Sequence, residues 1–171
     1  MSLLSPPDHS WPAQAEAAID NLTKTLGPVL LACHHIGSTS VPGLPAKPIL
    51  DLLPVVTDHA TLDAHSNALL ALGYEALGPF GLPGRRYFRN SAADGTRLIH
   101  AHAYEAGHPD IIRHLAFRDL LRQEPDLRHS YAEIKREADA QAGGDMARYM
   151  EYKDAFIKTH EARAVAMGLG T

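Results

Sequence analysis

The chain has 171 residues, 45% of them hydrophobic, which is long enough to bury a core without disulfides or a structural metal. Its 16 basic and 20 acidic residues give a formal charge of −4, which argues against an extended nucleic-acid or membrane-binding surface. Cys33 is the single cysteine, so no internal disulfide can form. We find no signal-peptide pattern and no apolar run near the roughly 20 residues of a membrane span. We therefore expect a cytoplasmic protein with a small-molecule partner.

Hydrophobic periodicity predicts an α/β (α+β) fold with a mixed, twisted sheet of about five strands flanked by helices. A helix is expected from Ser10, the predicted cap, to Leu26. The later elements, in chain order, are strands over 29–35 and 49–53, a helix over 57–72 capped by Thr57 or Asp58, strands over 74–77, 86–89 and 97–104, and three helices from about residue 109. We expect one domain over 1–171, with an α/β core (1–106) and C-terminal helices (107–171).

A glycine- and hydroxyl-containing turn follows the first predicted strand at Gly37, Ser38 and Thr39. Backbone N–H groups at such a turn attract anions, although an ordinary strand-to-helix turn has the same sequence. Three prolines stiffen the next connection and thereby position Lys47. Lys47 is either a solvated surface residue or a contact for phosphate or for the Asp51 carboxylate.

One acid, Asp51, lies within an apolar predicted strand. An unpartnered buried carboxylate costs several kcal/mol, so Asp51 is expected to be paired, metal-bound or at the edge of a cleft. His100 and His102 alternate along a later strand and therefore share one face. The two histidines can reach one metal or one phosphate together with Asp51, or they are a half-exposed pair on an edge strand.

Further basic residues are candidates for anion contacts. Arg86 is our choice among three arginines near residues 85–89. Two predicted helices repeat a tyrosine-to-lysine spacing of four, Tyr131 to Lys135 and Tyr149 to Lys153, which places each pair on one face. Either the tyrosines pack and the lysines extend to water, or the helices present Lys135, Lys153 and Arg118 to an anionic ligand.

The order Gly37-Ser38, twelve residues, then Asp51 in a strand resembles the opening motif of the nucleotidyltransferase superfamily, which includes the beta-type DNA polymerases. The longer string IGSTSVPGLPAKPILDL resembles the GrpB-like branch of that superfamily. Weaker matches are HAHAY (100–104), FRDLLR (117–122) and the two tyrosine–lysine pairs. The resemblance covers roughly residues 33–160. It implies a nucleotidyltransferase-like fold, phosphate held at Gly37-Ser38 and a divalent cation on Asp51.

The resemblance has one departure, because Leu53 stands where active nucleotidyltransferases usually carry a second acid. His100 and His102 take the place of the third acid. Mg²⁺ prefers oxygen ligands, so Asp51 with two histidines suits Zn²⁺, Mn²⁺ or Fe²⁺ better, and a histidine base without metal is the alternative. Two functions stay open: nucleotidyl transfer, or binding of a nucleotide or phosphorylated small molecule without transfer. A folding or assembly accessory is a third function that no residue supports.

Overall fold

A computed structural model describes residues 2–171 and contains a mixed, five-stranded sheet. The strands are β1 (Leu30–Ile36), β2 (Leu50–Val56), β3 (Tyr74–Ala76), β4 (Arg85–Ser91) and β5 (Arg97–Glu105). Their order in the sheet is β1-β2-β5-β4-β3. β2 and β5 are parallel, and all other neighbours are antiparallel. The predicted α/β class and the mixed sheet are confirmed.

Six α-helices surround the sheet in the described part of the chain. They are α1 (Trp11–Leu26), α2 (His59–Ala64), α3 (Ser66–Ala71), α4 (Pro109–Gln123), α5 (Pro125–Ala142) and α6 (Met146–Ala166). None of the helices within residues 2–171 combines the length and the apolar character needed to cross a membrane.

Side-chain and backbone hydrogen bonds define the ends of α1 and α2, and they correct two of the predictions. The Asp58 carboxylate accepts a hydrogen bond from the Thr61 N–H, which caps α2. Ser10 does not cap α1 with its side chain, because its hydroxyl donates to Asp8 instead. The single helix predicted over 57–72 is two helices, since the His65 N–H bonds three residues back to Leu62 and ends α2 there.

The two faces of the sheet pack against different helices. Alternate residues of β2, β4 and β5 form a core with α1, α2 and α3 on one face. On the opposite face, Leu53 and Tyr104 pack against Leu115 of α4. Helix α4 therefore covers the face that also carries Asp51, His100 and His102, and α5 and α6 pack against α4.

The proline-containing connection before β2 joins this sheet to the C-terminal helices. Its Leu44 is fully buried and packs in one cluster with Leu121 of α4 and Tyr131 of α5. The connection is therefore held by packing as well as by its prolines, and its position depends on the helices.

Replacement of Leu44 by alanine should lower the free energy of unfolding by about 2–5 kcal/mol, because it leaves a cavity at this junction. Leu70→Ala is the matched control, since Leu70 is 63% exposed and should change stability by less than about 0.5 kcal/mol. Urea unfolding of both variants measures the difference. Equal losses would show that Leu44 does not hold the junction.

Candidate functional site

Asp51, His100 and His102 lie together on one face of the sheet. The parallel register places Asp51 beside His100, and alternation along β5 returns His102 to the same face. His102 Nε2 is 3.1 Å from Asp51 Oδ1, and His100 Nδ1 is 3.8 Å from the same oxygen. The structure thus brings the three predicted side chains to one carboxylate oxygen.

The buried Arg85, which the sequence analysis did not select, contacts this group. Its Nη1 is 3.4 Å from His102 Nδ1. A guanidinium only donates, so Nδ1 of His102 accepts and Nε2 carries the proton that is donated to Asp51. Strand β4 begins one residue earlier than predicted, and the two-residue spacing of Arg85 and Tyr87, which places both on one face, is the signal that could have identified Arg85.

The carboxylate of Asp51 is ionised at neutral pH. Burial opposes its ionisation, but the hydrogen bond from His102 and the neighbouring His100 and His114 hold the pKa of Asp51 below its usual value. Burial lowers the pKa of His100 to about 4 and the pKa of His114 to about 3. A negative carboxylate therefore faces neutral imidazoles of His100 and His114.

Gly37 packs directly against the second oxygen of Asp51. Its φ is +70°, and a Cβ at this position would lie 2.6 Å from Asp51 Oδ2. Glycine is thus required both by the backbone conformation and by the contact. Both carboxylate oxygens of Asp51 consequently have close neighbours, His102 at Oδ1 and Gly37 at Oδ2.

The rest of this turn is held by contacts with β1 and α4. The Thr39 hydroxyl is 2.8 Å from His35 Nε2, and the Ser40 carbonyl accepts two hydrogen bonds from Arg122 at 2.8 and 3.0 Å. Burial raises the pKa of Tyr131, and the nearby Ser38 side chain partly offsets that rise. Ser38 therefore faces the C-terminal helices rather than the strand.

Three lysines converge beside this turn, and we call Lys47, Lys135 and Lys153 the lysine cluster. Lys135 is 2% exposed and donates to the Pro45 carbonyl, while Lys153 is 7% exposed. The Tyr149 ring contacts two of the ammonium groups, with its centroid 4.0 Å from Lys47 Nζ and 4.4 Å from Lys153 Nζ. Of the two alternatives left open by the sequence, the one in which the helical lysines extend to water is wrong, because the helix junction buries Lys135 and Lys153.

No carboxylate in the described residues forms an ion pair within 4.0 Å with any of these three ammonium groups. Burial lowers the pKa of Lys47 and of Lys153 to about 8. Burial, followed by repulsion from Lys153 and Lys47, holds the pKa of Lys135 well below its ordinary value. The Asp51 charge raises all three values but does not compensate. The lysine cluster is therefore a concentration of positive charge without a bonded counter-charge.

Two predicted anion contacts are engaged elsewhere. Arg86 lies opposite Ala103, on the other face of the sheet, and binds the Asp63 carboxylate through Nε and Nη2. Its predicted placement at this site is wrong, since alternation points its side chain away. Arg118 bonds Asp119 at 2.7 Å and the His35 carbonyl at 3.3 Å, so it supports β1.

The residues present do not fit the divalent-cation site on Asp51 that the resemblance implied. Leu53, at the second-acid position, is fully buried between Ile36, Tyr104 and Leu115. Across residues 2–171, no three His, Cys, Asp or Glu side chains are arranged to hold a metal ion. A cation on Asp51 and His102 would first have to break their hydrogen bond.

Comparison with known proteins assigns the chain to a family. The family model described as "GrpB protein" matches residues 3–163. This chain belongs to the GrpB family. The crystal structure of the conserved protein GrpB from Enterococcus faecalis superposes with a TM-score of 0.90 at 37% identity, covering 96% of this chain and 98% of that one. Protein YqkA of Bacillus subtilis is 38% identical over 92% of this chain and 45% of its own length.

Other matches are longer proteins. The dephospho-CoA kinase of Mycolicibacterium paratuberculosis is 32% identical over 94% of this chain and 45% of its own length. This GrpB-family chain therefore spans less than half of the length of that protein and of YqkA. Cid1, in a complex with its short product ApU, has a TM-score of 0.56 at 12% identity, covering 86% of this chain and 48% of that one. This likeness confirms the nucleotidyltransferase-like fold.

Gly37→Ala should lower the free energy of unfolding by more than about 2 kcal/mol, because it adds a clash with Asp51 to an unfavourable φ. Gly43→Ala separates the two causes, since Gly43 has φ +78° and open space around its Cβ position. We expect Gly43→Ala to cost about 1 kcal/mol in thermal or urea unfolding. If the two variants lost the same stability, the contact between Gly37 and Asp51 would carry no energy.

Lys153→Met should raise the free energy of unfolding of the ligand-free protein at pH 7 by on the order of 1–3 kcal/mol. The methionine side chain is similar in length to that of lysine, but it lacks the buried charge that has no bonded carboxylate. The charged Lys153 side chain lowers the free energy of unfolding by its full amount at pH values below its folded pKa of about 8. This loss disappears as the pH rises toward 10.5, the ordinary pKa of lysine in the unfolded chain. Wild type and variant should therefore converge in stability near pH 10.

Lys158→Met on the same helix is the control, since the Lys158 side chain is 72% exposed and should change little. Unfolding measured from pH 7 to pH 10 provides the comparison. A destabilised Lys153→Met at pH 7 would show that Lys153 has a stabilising partner.

Proposed function

We propose that this GrpB-family chain binds a nucleotide or another phosphorylated small molecule, with its phosphate groups among the lysine cluster and beside Ser38. The observation that carries this proposal is the convergence of three lysine side chains, two of them buried, without a bonded carboxylate. Such an arrangement lowers the stability of the free protein, so a ligand that supplies negative charge explains why it is tolerated.

Phosphate fits this position better than a carboxylate ligand. A phosphate group carries about −1.5 to −2 charge and three acceptor oxygens, so it can accept hydrogen bonds from several ammonium groups at once. The Ser38 hydroxyl, beside Tyr131, supplies a further polar contact at the same junction. Lys47 precedes β2, whereas Lys135 and Lys153 lie on α5 and α6, so the ligand would contact three separate parts of the chain.

Nucleotidyl transfer is a second candidate, supported by the fold shared with Cid1 and by the position of Asp51 beside the lysines. An acceptor hydroxyl near Asp51 would meet an ionised carboxylate oriented by His102. A carboxylate with a lowered pKa is, however, a weak general base. The geometry therefore supports binding more strongly than transfer.

The name of the mycobacterial relative, dephospho-CoA kinase, suggests a compound to test for binding but does not assign an activity to this chain. The present chain has no G-x-x-x-x-G-K-[ST] phosphate-binding sequence, so kinase chemistry is not carried over to it. Dephospho-CoA is itself a phosphorylated small molecule and belongs among the ligands tested. No contact in residues 2–171 favours a folding or assembly accessory.

Calorimetric titration with the four nucleoside triphosphates, dephospho-CoA and pyrophosphate should show saturable binding to the wild-type protein at pH 7.5. Lys135→Met and Lys153→Met should each weaken it by at least about tenfold, because a hydrogen bond to a charged group contributes about 1.5–3 kcal/mol. Binding should also weaken as the pH rises through about 8, where Lys47 and Lys153 lose their protons while the phosphates stay ionised.

Arg136→Met and Lys158→Met are controls on the same two helices, since both side chains are mostly exposed. Pyrophosphate release from the triphosphates, measured in parallel with Mg²⁺ or Mn²⁺, separates transfer from binding alone. Absence of binding for every probe, or equal effects of the buried and exposed variants, would refute the proposal.

A further inference from the structure

We infer that this site takes its phosphate ligand as the free anion, without a divalent cation, and that the three lysine ammonium groups stand in for the metal. This inference rests on the proposed function and concerns the charge state of the same ligand. It goes beyond the fold likeness, because the resemblance to nucleotidyltransferases implied a cation on Asp51.

Among the described residues, the site lacks the protein ligands that a divalent cation would need. Mg²⁺ is normally held by one or two carboxylates together with substrate phosphates and water. At this site Leu53 supplies a buried methyl-bearing side chain where a carboxylate would be required. The remaining acid, Asp51, has Oδ1 hydrogen-bonded to His102 and Oδ2 packed against Gly37.

Arg85 stabilises the hydrogen bond between His102 and Asp51, and this hydrogen bond disfavours a metal ion at the two side chains. Its guanidinium approaches His102 Nδ1, so the proton of His102 resides on Nε2 and points at Asp51. A metal ligand must offer a lone pair, and Nε2 cannot do so while it carries this proton. Binding of a cation between Asp51 and His102 would require loss of that proton or rotation of the ring.

The balance between the lysine charges and the ligand charge also disfavours a cation. Lys47 and Lys153, each with a pKa of about 8, carry positive charge at neutral pH, and Asp51 is the one carboxylate that acts on all three lysines. A free pyrophosphate or triphosphate group supplies the charge that the cluster lacks, whereas complexation by Mg²⁺ would cancel two of those charges. The cation and the ammonium groups would also compete for the same phosphate oxygens.

The test is calorimetric titration of pyrophosphate at pH 7.5 in two solutions, one with EDTA and one with Mg²⁺ in excess over the ligand. We expect binding in EDTA, and a loss of affinity of at least about tenfold in Mg²⁺. Lys153→Met, which should fold because it removes an unpaired charge, is expected to abolish the difference between the two solutions. Lys158→Met should retain that difference.

The outcomes separate the two proposals. Pyrophosphate binding that appears only with Mg²⁺, or is tightened by it, would overturn this inference and leave the proposed phosphate site standing. Binding in neither solution would overturn both. Tight binding in EDTA that Lys153→Met does not weaken would show that the anion binds away from the lysine cluster, and would also overturn this inference.

Discussion

The contact between Gly37 and Asp51 is the constraint on which the site depends. Strand β1 ends opposite Asp51, and the chain must turn away within the space above that carboxylate. Only a residue without a Cβ can do this, because any side chain would meet Asp51 Oδ2. The direction of the turn then places Ser38 against Tyr131 and leads the connection toward Lys47.

A second constraint is the cost of the lysine cluster. Packing Leu44, Leu121 and Tyr131 together brings α5 against the connection, and the same packing forces Lys135 toward the Pro45 carbonyl. The hydrophobic contacts therefore hold together a junction that electrostatic repulsion opposes. If the proposed ligand binds here, stability and ligand binding act in opposite directions at these residues, as is common at functional sites.

Much of this arrangement could be predicted from the sequence, because it depends on short-range periodicity. Alternation along β5 predicted that His100 and His102 share a face, and the spacing of four predicted that Tyr149 and Lys153 lie together. The choice of Arg86 failed because the face of a strand residue is set by its register with the neighbouring strand, and Arg86 lies opposite Ala103 whereas Arg85 lies opposite Tyr104, on the face of His102.

The burial of Lys135 and Lys153 could not be predicted in this way. It arises from contacts between α5, α6 and the connection at residues 41–47, which lie about 90–100 positions away in sequence. The support of Ser40 by Arg122 has the same non-local origin. Helix propensity and residue spacing describe an isolated helix, and an isolated helix leaves these lysines in water.

The Tyr149 ring has a consequence for how the molecule opens. Its centroid is 4.0 Å from the Lys47 ammonium group, in the connection before β2, and 4.4 Å from the Lys153 ammonium group of α6, so two distant parts of the chain meet at one aromatic side chain. Without an anion, like charges push these parts away from each other, and the α6 amides should exchange with solvent through local opening. A bound anion would join them, slowing that exchange and protecting the helix from proteolysis as its concentration rises above the dissociation constant. The lifetime of the protein in a cell would then follow the supply of its ligand.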